Sequence, residues 1–204
     1  MWNRSASALF VSLCLALSGC HSAPTVAIPD EATQTRQGAP LTDVDRKSVA
    51  LFEQALDAIH DERYPEAEKL LKDLTSRDPS LSGPWFNLGS VYTALGDQAA
   101  AEDAYKKAIA ANPDNCAAYT ELGVQQRRSG DFLSAEANYL TCVSRVPDFR
   151  EAYLNLGILY ELYLGRFDDA LKAYQTYQSL SDSPDRRVAG WVTDLERRLA
   201  GNES

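Results

Sequence analysis

The stretch that decides the fold is "PWFNLGSVYTALGDQAAAEDAYKKAIAANPDN", residues 84–115. Trp85, Leu88 and Tyr92 recur at intervals of three and four, which puts them on one face of a helix. Gly96-Asp97 then marks a turn. Tyr105 and Ala108 continue an apolar face on a second helix. Gly89 and Ala101 are small, so two helices joined by that turn can approach closely. Pro113 cannot continue a helix and closes the unit.

The same pattern returns along the chain. Ala67, Ala101 and Ala135 are 34 residues apart, and so are Pro79, Pro113 and Pro147, and Gly89, Gly123 and Gly157. A fixed period of this size means stacked supersecondary units. The series Trp85-x2-Leu88-Gly89-x2-Tyr92, Ala101-x3-Tyr105, Pro113 resembles the tetratricopeptide signature. The resemblance implies an all-α fold, a right-handed superhelical solenoid of about four helix hairpins with a C-terminal capping helix.

The repeats read as 48–81, 82–115, 116–149 and 150–184, within a domain over 45–200. The first is weak at its start, with Leu51 and Ala55, but clear in "YPEAEKLLKDLTSRDP", where Pro65 suits a first helical turn. The third has Gln126 where an aromatic is usual. The fourth carries one extra residue, read as lying in its turn "ELYLGRFDDA". The cap spans 184–200, with Ser183 as N-cap, Pro184 at the first helical position and Asp185 in the first turn. Its stripe of Val188, Trp191, Val192, Leu195 and Leu199 seals the last hairpin.

The N-terminus reads differently. "MWNRSASALFVSLCLALSGC" has a polar start, a short apolar run and a small-residue end. The run is too short for a mature transmembrane helix and reads as a secretory signal over 1–19. Its end resembles the bacterial lipobox, which implies lipidation at Cys20. The alternative is an ordinary cleaved signal with an incidental cysteine. His21, rather than Asp, follows, and by analogy with enteric-type lipoproteins this implies the outer membrane, facing the periplasm. Residues 20–44 are proline-bearing and aperiodic, and read as a disordered tether.

Nothing in the chain reads as catalytic. The two histidines, His21 and His60, lack ligand-spaced partners, and there is no phosphate loop, nucleophile elbow or zinc-protease motif. No cofactor, metal or small-molecule substrate is expected. A net charge of −9 argues against nucleic acid. Cys116 and Cys142 fall at the same end of one antiparallel hairpin. They read either as a disulfide of an oxidising compartment or as two buried thiols filling small slots.

In the resembled family the first helices line a concave groove. That geometry maps the groove onto Phe52, Leu56, Phe86, Asn87, Ser90, Thr120, Val124, Arg127, Leu154 and Ile158, with Arg128 and Glu161 toward its edge. This mixture suits an extended or helical peptide. A clamp for a C-terminal carboxylate is not expected, because Phe52, Leu56, Ala117 and Glu121 stand where basic residues are needed and only Asn87 matches. The implied role is a lipid-anchored scaffold that binds a segment of an envelope complex and assists its assembly. The resemblance extends to small tetratricopeptide lipoproteins of pilus and secretion systems, and more softly to TonB-type and motility partners. Two alternatives stand beside it: a self-assembling structural lipoprotein, and a delivery factor for a cell-wall enzyme.

Overall fold

The structure is a computed structural model that describes residues 43–202. The signal, Cys20 and nearly all of the tether lie outside the described residues. Within them the chain forms nine α-helices. Helix α1 is Asp43–His60 and α2 Tyr64–Arg77; α3 is Ser82–Leu95 and α4 Gln98–Ala111. Helix α5 is Cys116–Ser129, α6 Phe132–Arg145, α7 Arg150–Leu159, α8 Phe167–Ser179 and α9 Arg186–Asn202. They pair as four hairpins, each packed on the next, with α9 against α8. The first helix begins at Asp43, before the expected domain start.

Local chemistry sets the helix boundaries. Asp97, Asn115 and Asp131 precede α4, α5 and α6, and each side chain accepts a hydrogen bond from the N–H three residues on. That satisfies a donor the helix cannot satisfy itself. Gly96 and Gly130 end α3 and α5 at φ +81° and +87°, a left-handed turn that costs glycine little.

The 34-residue glycines have a steric reason. A Cβ on Gly89 would lie 2.6 Å from the Tyr105 ring, on Gly123 2.5 Å from Tyr139, and on Gly157 2.3 Å from Tyr174. Each tyrosine therefore lies flat over a bare stretch of the first helix of its own hairpin. All three are buried. The first hairpin solves the same problem with Ala55 and Leu71, both fully buried.

The extra residue of the fourth repeat is not in the turn. It is taken up in the last turn of the first helix, where Tyr160–Leu164 is π-helical. A π-turn holds one more residue than an α-turn. The tail of that helix widens while Gly157 stays opposite Tyr174, and the Arg166 N–H donates to the Tyr160 carbonyl at 2.9 Å to close it.

The cap also starts later than expected. Helix α9 begins at Arg186, and the capping group is Asp185, whose carboxylate accepts from the N–H of Arg187 at 2.8 Å and of Val188 at 3.4 Å. Asp185 leads because its short carboxylate reaches those free donors. Its carboxyl sits below the usual range, chiefly through the Arg187 N–H. Val188 and Leu195 are buried against the last hairpin, and Trp191 stacks at 5.4 Å from Tyr174 while remaining partly exposed.

Cys116 and Cys142 are joined as a disulfide, with Cα atoms 4.9 Å apart. The bridge ties the start of α5 to the end of α6, is buried, and packs with Ala152 of the next hairpin.

Candidate partner-binding groove

Helices α1, α3, α5 and α7 carry the residues expected to line the groove, and the structure divides them. Phe52, Phe86, Asn87, Ser90 and Thr120 are buried. Phe86 lies 5.7 Å from the Tyr105 ring and packs with Ala118 and Leu122 of the following hairpin. Phe52 packs with Leu71, Leu88 and Val91. The Asn87 amide donates to the Gly83 carbonyl at 3.0 Å, and Ser90 donates to the Phe86 carbonyl at 3.3 Å. Phe52 and Phe86 belong to the packing between hairpins, Asn87 and Ser90 bond within α3, and all five, Thr120 included, lack the exposed surface expected of a lining. Leu56, Val124, Arg127, Leu154 and Ile158 are half-buried and keep surface to offer.

A second row was not read from the sequence. The tyrosines that cover the helix glycines send their hydroxyls past them, to residues four positions on. Tyr105 meets the Thr93 hydroxyl at 3.2 Å, and Tyr174 donates to the Glu161 carboxylate at 3.0 Å. Tyr139 takes the same place beside Arg127, but its hydroxyl has no hydrogen-bond partner. Thr93, Arg127 and Glu161 are 34 residues apart. The repeated glycine-to-tyrosine spacing was the signal that could have exposed this row.

The electrostatics follow the burial. Burial pushes the Tyr105 hydroxyl up to about 12, helped by Glu121. Tyr174 is raised by burial and by Glu161, and Tyr139 by burial against the opposing pull of Arg127. Glu121 is raised by burial, with Arg128 acting the other way. The Arg127 guanidinium lies 5.5 Å from the Tyr163 ring centre, and its hydrogen bonds, to the Tyr163 hydroxyl at 3.4 Å and Asn155 at 3.5 Å, are long.

On the opposite side of the stack, a cleft of about 240 Å³ opens between α2 and α4 over Trp85, Leu88 and Tyr92. Lys107 lies over Trp85 and Lys72 over Tyr92. Both lysines already pair with carboxylates on their own helices. Among the described residues there is no group of side chains able to hold a metal ion and no helix long and apolar enough to cross a membrane.

Residues 84–115, 104–137 and 151–181 each match a model of the tetratricopeptide repeat. No curated protein matches the chain. Among solved structures, a crystal structure of MamA is 26% identical with a TM-score of 0.59, over 65% of this chain and 77% of that one. PilF of Pseudomonas aeruginosa is 18% identical with a TM-score of 0.69, over 78% of this chain and 72% of that one. A tetratricopeptide repeat protein from Parabacteroides merdae is 19% identical with a TM-score of 0.64, over 77% of this chain and 61% of that one. At that identity the last two speak to the fold alone. With its hairpins stacked in order, its glycines and tyrosines locked at one period and its repeats matched three times over, this chain is a tetratricopeptide-repeat protein.

Proposed function

We propose that this scaffold works as a lipid-anchored capture device on the periplasmic face of the outer membrane. Its groove holds a peptide segment or helix of an envelope complex, of the pilus, secretion, TonB or motility kind, and assists assembly without catalysing a reaction. The observation that carries the binding role is the row of half-buried side chains on successive first helices, from Leu56 through Val124 to Leu154 and Ile158. Stacked hairpins present such a row as one continuous surface, the arrangement that suits peptide recognition. The anchoring role rests on the cysteine-ended leader. The Cys116–Cys142 bridge supports the periplasmic setting, though not the anchor, since disulfides persist in oxidising compartments.

Photo-crosslinkers at Val124 and Ile158, used in intact cells, test the groove. They should trap one envelope protein reproducibly, while a crosslinker at Lys107 on the opposite side should not. The reverse pattern overturns the groove assignment. Replacing Cys20 by Ser tests the anchor. The variant should leave the membrane fraction and lose incorporation of a labelled fatty acid, and unchanged incorporation rejects Cys20 as the lipid site.

A further inference from the structure

We infer that the C-terminal half of the groove, between α5 and the π-helical turn after α7, is a recognition subsite for a peptide segment carrying a carboxylate beside an apolar side chain. This rests on the groove reading above and narrows it to one place and one ligand chemistry.

The two halves of the first-helix face differ. Toward the N-terminus, Phe52, Phe86, Asn87 and Ser90 are buried and only Leu56 keeps surface, while on α5 Thr120 is buried too. Toward the C-terminus, Val124, Leu154 and Ile158 keep surface, and the π-turn adds Leu162 and Tyr163, exposed by 67% and 44%. The Tyr163 ring is steadied 5.0 Å from Phe132. An exposed leucine beside a held aromatic ring is an apolar anchor point. π-Turns recur where a helix must re-aim side chains for function.

Arg127 meets that anchor, and among the described residues neither it nor the adjoining Arg128 is in direct contact with a carboxylate. Arg63, Arg77, Arg145, Arg166 and Arg198 each form an ion pair with Asp or Glu. Arg127 and Arg128, consecutive on α5, form none among the described residues. The Nε of Arg127 and the hydroxyl of the fully buried Tyr139 make no well-formed hydrogen bond, and the two side chains interact with each other. The Tyr139 ring is pinned against Gly123. The guanidinium ends of Arg127 and Arg128 offer what a carboxylate accepts, and the existing contacts of Arg127 are long enough to be displaced. Of the nearby carboxylates, Glu161 accepts from Tyr174, and Glu121 interacts with Arg128 at a distance from within the packing. In a chain of net charge −9, a local cationic spot also steers an acidic segment away from the rest of the surface.

The test is selection from a displayed library of random twelve-residue peptides on the purified full chain in mild detergent. Enriched peptides should carry Asp or Glu next to Leu, Ile or Phe. They should crosslink to a probe at Ile158. Arg128→Glu should weaken them by about tenfold or more, with helix content unchanged by circular dichroism. Arg127→Gln should weaken them too, and Arg127→Lys should restore part of the loss. Peptides that crosslink at Ile158 without acidic enrichment, or that ignore Arg128→Glu, overturn this inference and leave the groove reading standing. Peptides that crosslink only on the opposite side, or no enrichment at all, overturn both.

Discussion

The first hairpin and the three that follow build the same joint from different residues. In the later hairpins a glycine lies under a tyrosine: Gly89 under Tyr105, Gly123 under Tyr139, Gly157 under Tyr174. In the first, Ala55 and Leu71 fill the equivalent space, each shifted by one period of 34. The turns differ too. Gly96 and Gly130 take the left-handed conformation, whereas the first hairpin puts Glu62 there at φ +57°. The joint therefore demands a combined volume, small on one helix and large on the other, more than it demands particular residues. The tyrosine solution adds something leucine cannot: a hydroxyl carried through to the groove side, at Thr93 and Glu161.

The comparison can be broken by exchange. Leu71→Ala empties the largest buried side chain of the first joint and should cost about 2–5 kcal/mol by urea unfolding. Ala55→Gly with Leu71→Tyr should retain most of the stability, and a loss as large as that of Leu71→Ala would show that the two joints are not equivalent. Next in size is the bridge, which only the third hairpin has. Cys116→Ala with Cys142→Ala removes a closed loop spanning a separation of 26 residues and should cost about 3 kcal/mol. Native-state hydrogen exchange should rise in α5 and α6 more than in α1 and α2. Gly123→Ala drives a methyl into the Tyr139 ring and should cost about 1–3 kcal/mol. Adding Tyr139→Leu should recover part of it, and a double variant no better than the single would sink the volume argument. Glu62→Gly should gain roughly 0.5–1 kcal/mol by relieving a left-handed glutamate.

The smallest effect is a pH dependence. Burial raises the Tyr105 and Tyr160 hydroxyls to about 12, while tyrosines of the unfolded chain ionise near 10. Between those values the folded form keeps protons the unfolded form has lost. Stability is therefore intact below about pH 10 and falls as pH rises toward about 12. Tyr105→Phe should flatten that decline in alkaline thermal melts. Leu71→Phe, in the hairpin with no tyrosine at the joint, should leave its slope unchanged.

Much of the fold was legible because its determinants are local and periodic. Trp85, Leu88, Tyr92, Gly96 and Pro113 report helix faces, a turn and a stop without reference to distant residues. Boundaries were less legible where two residues compete for one role. Ser183 and Asp185 can each cap a helix, and only the path of the chain out of α8 decides for Asp185, whose N–H also donates to the Gln178 side-chain oxygen. The extra residue of the fourth repeat has no signature of its own, because a turn and a π-helical bulge absorb it equally well on paper. The groove was the least legible part. Family geometry says which positions face inward, but Phe86 vanishes into the packing only in a cluster that also takes in Tyr105, Ala118 and Leu122.

What the sequence determined alone is the helical class, the period of 34 and the pairing of small with large residues that makes each hairpin, since these depend on contacts within one repeat. What tertiary structure decided is which inward positions stay open, where Tyr163 and Arg127 meet, and which hydroxyl reaches which neighbour. Those depend on the distance and tilt between successive hairpins, and a spacing along one chain does not encode the closeness of approach between two packed surfaces.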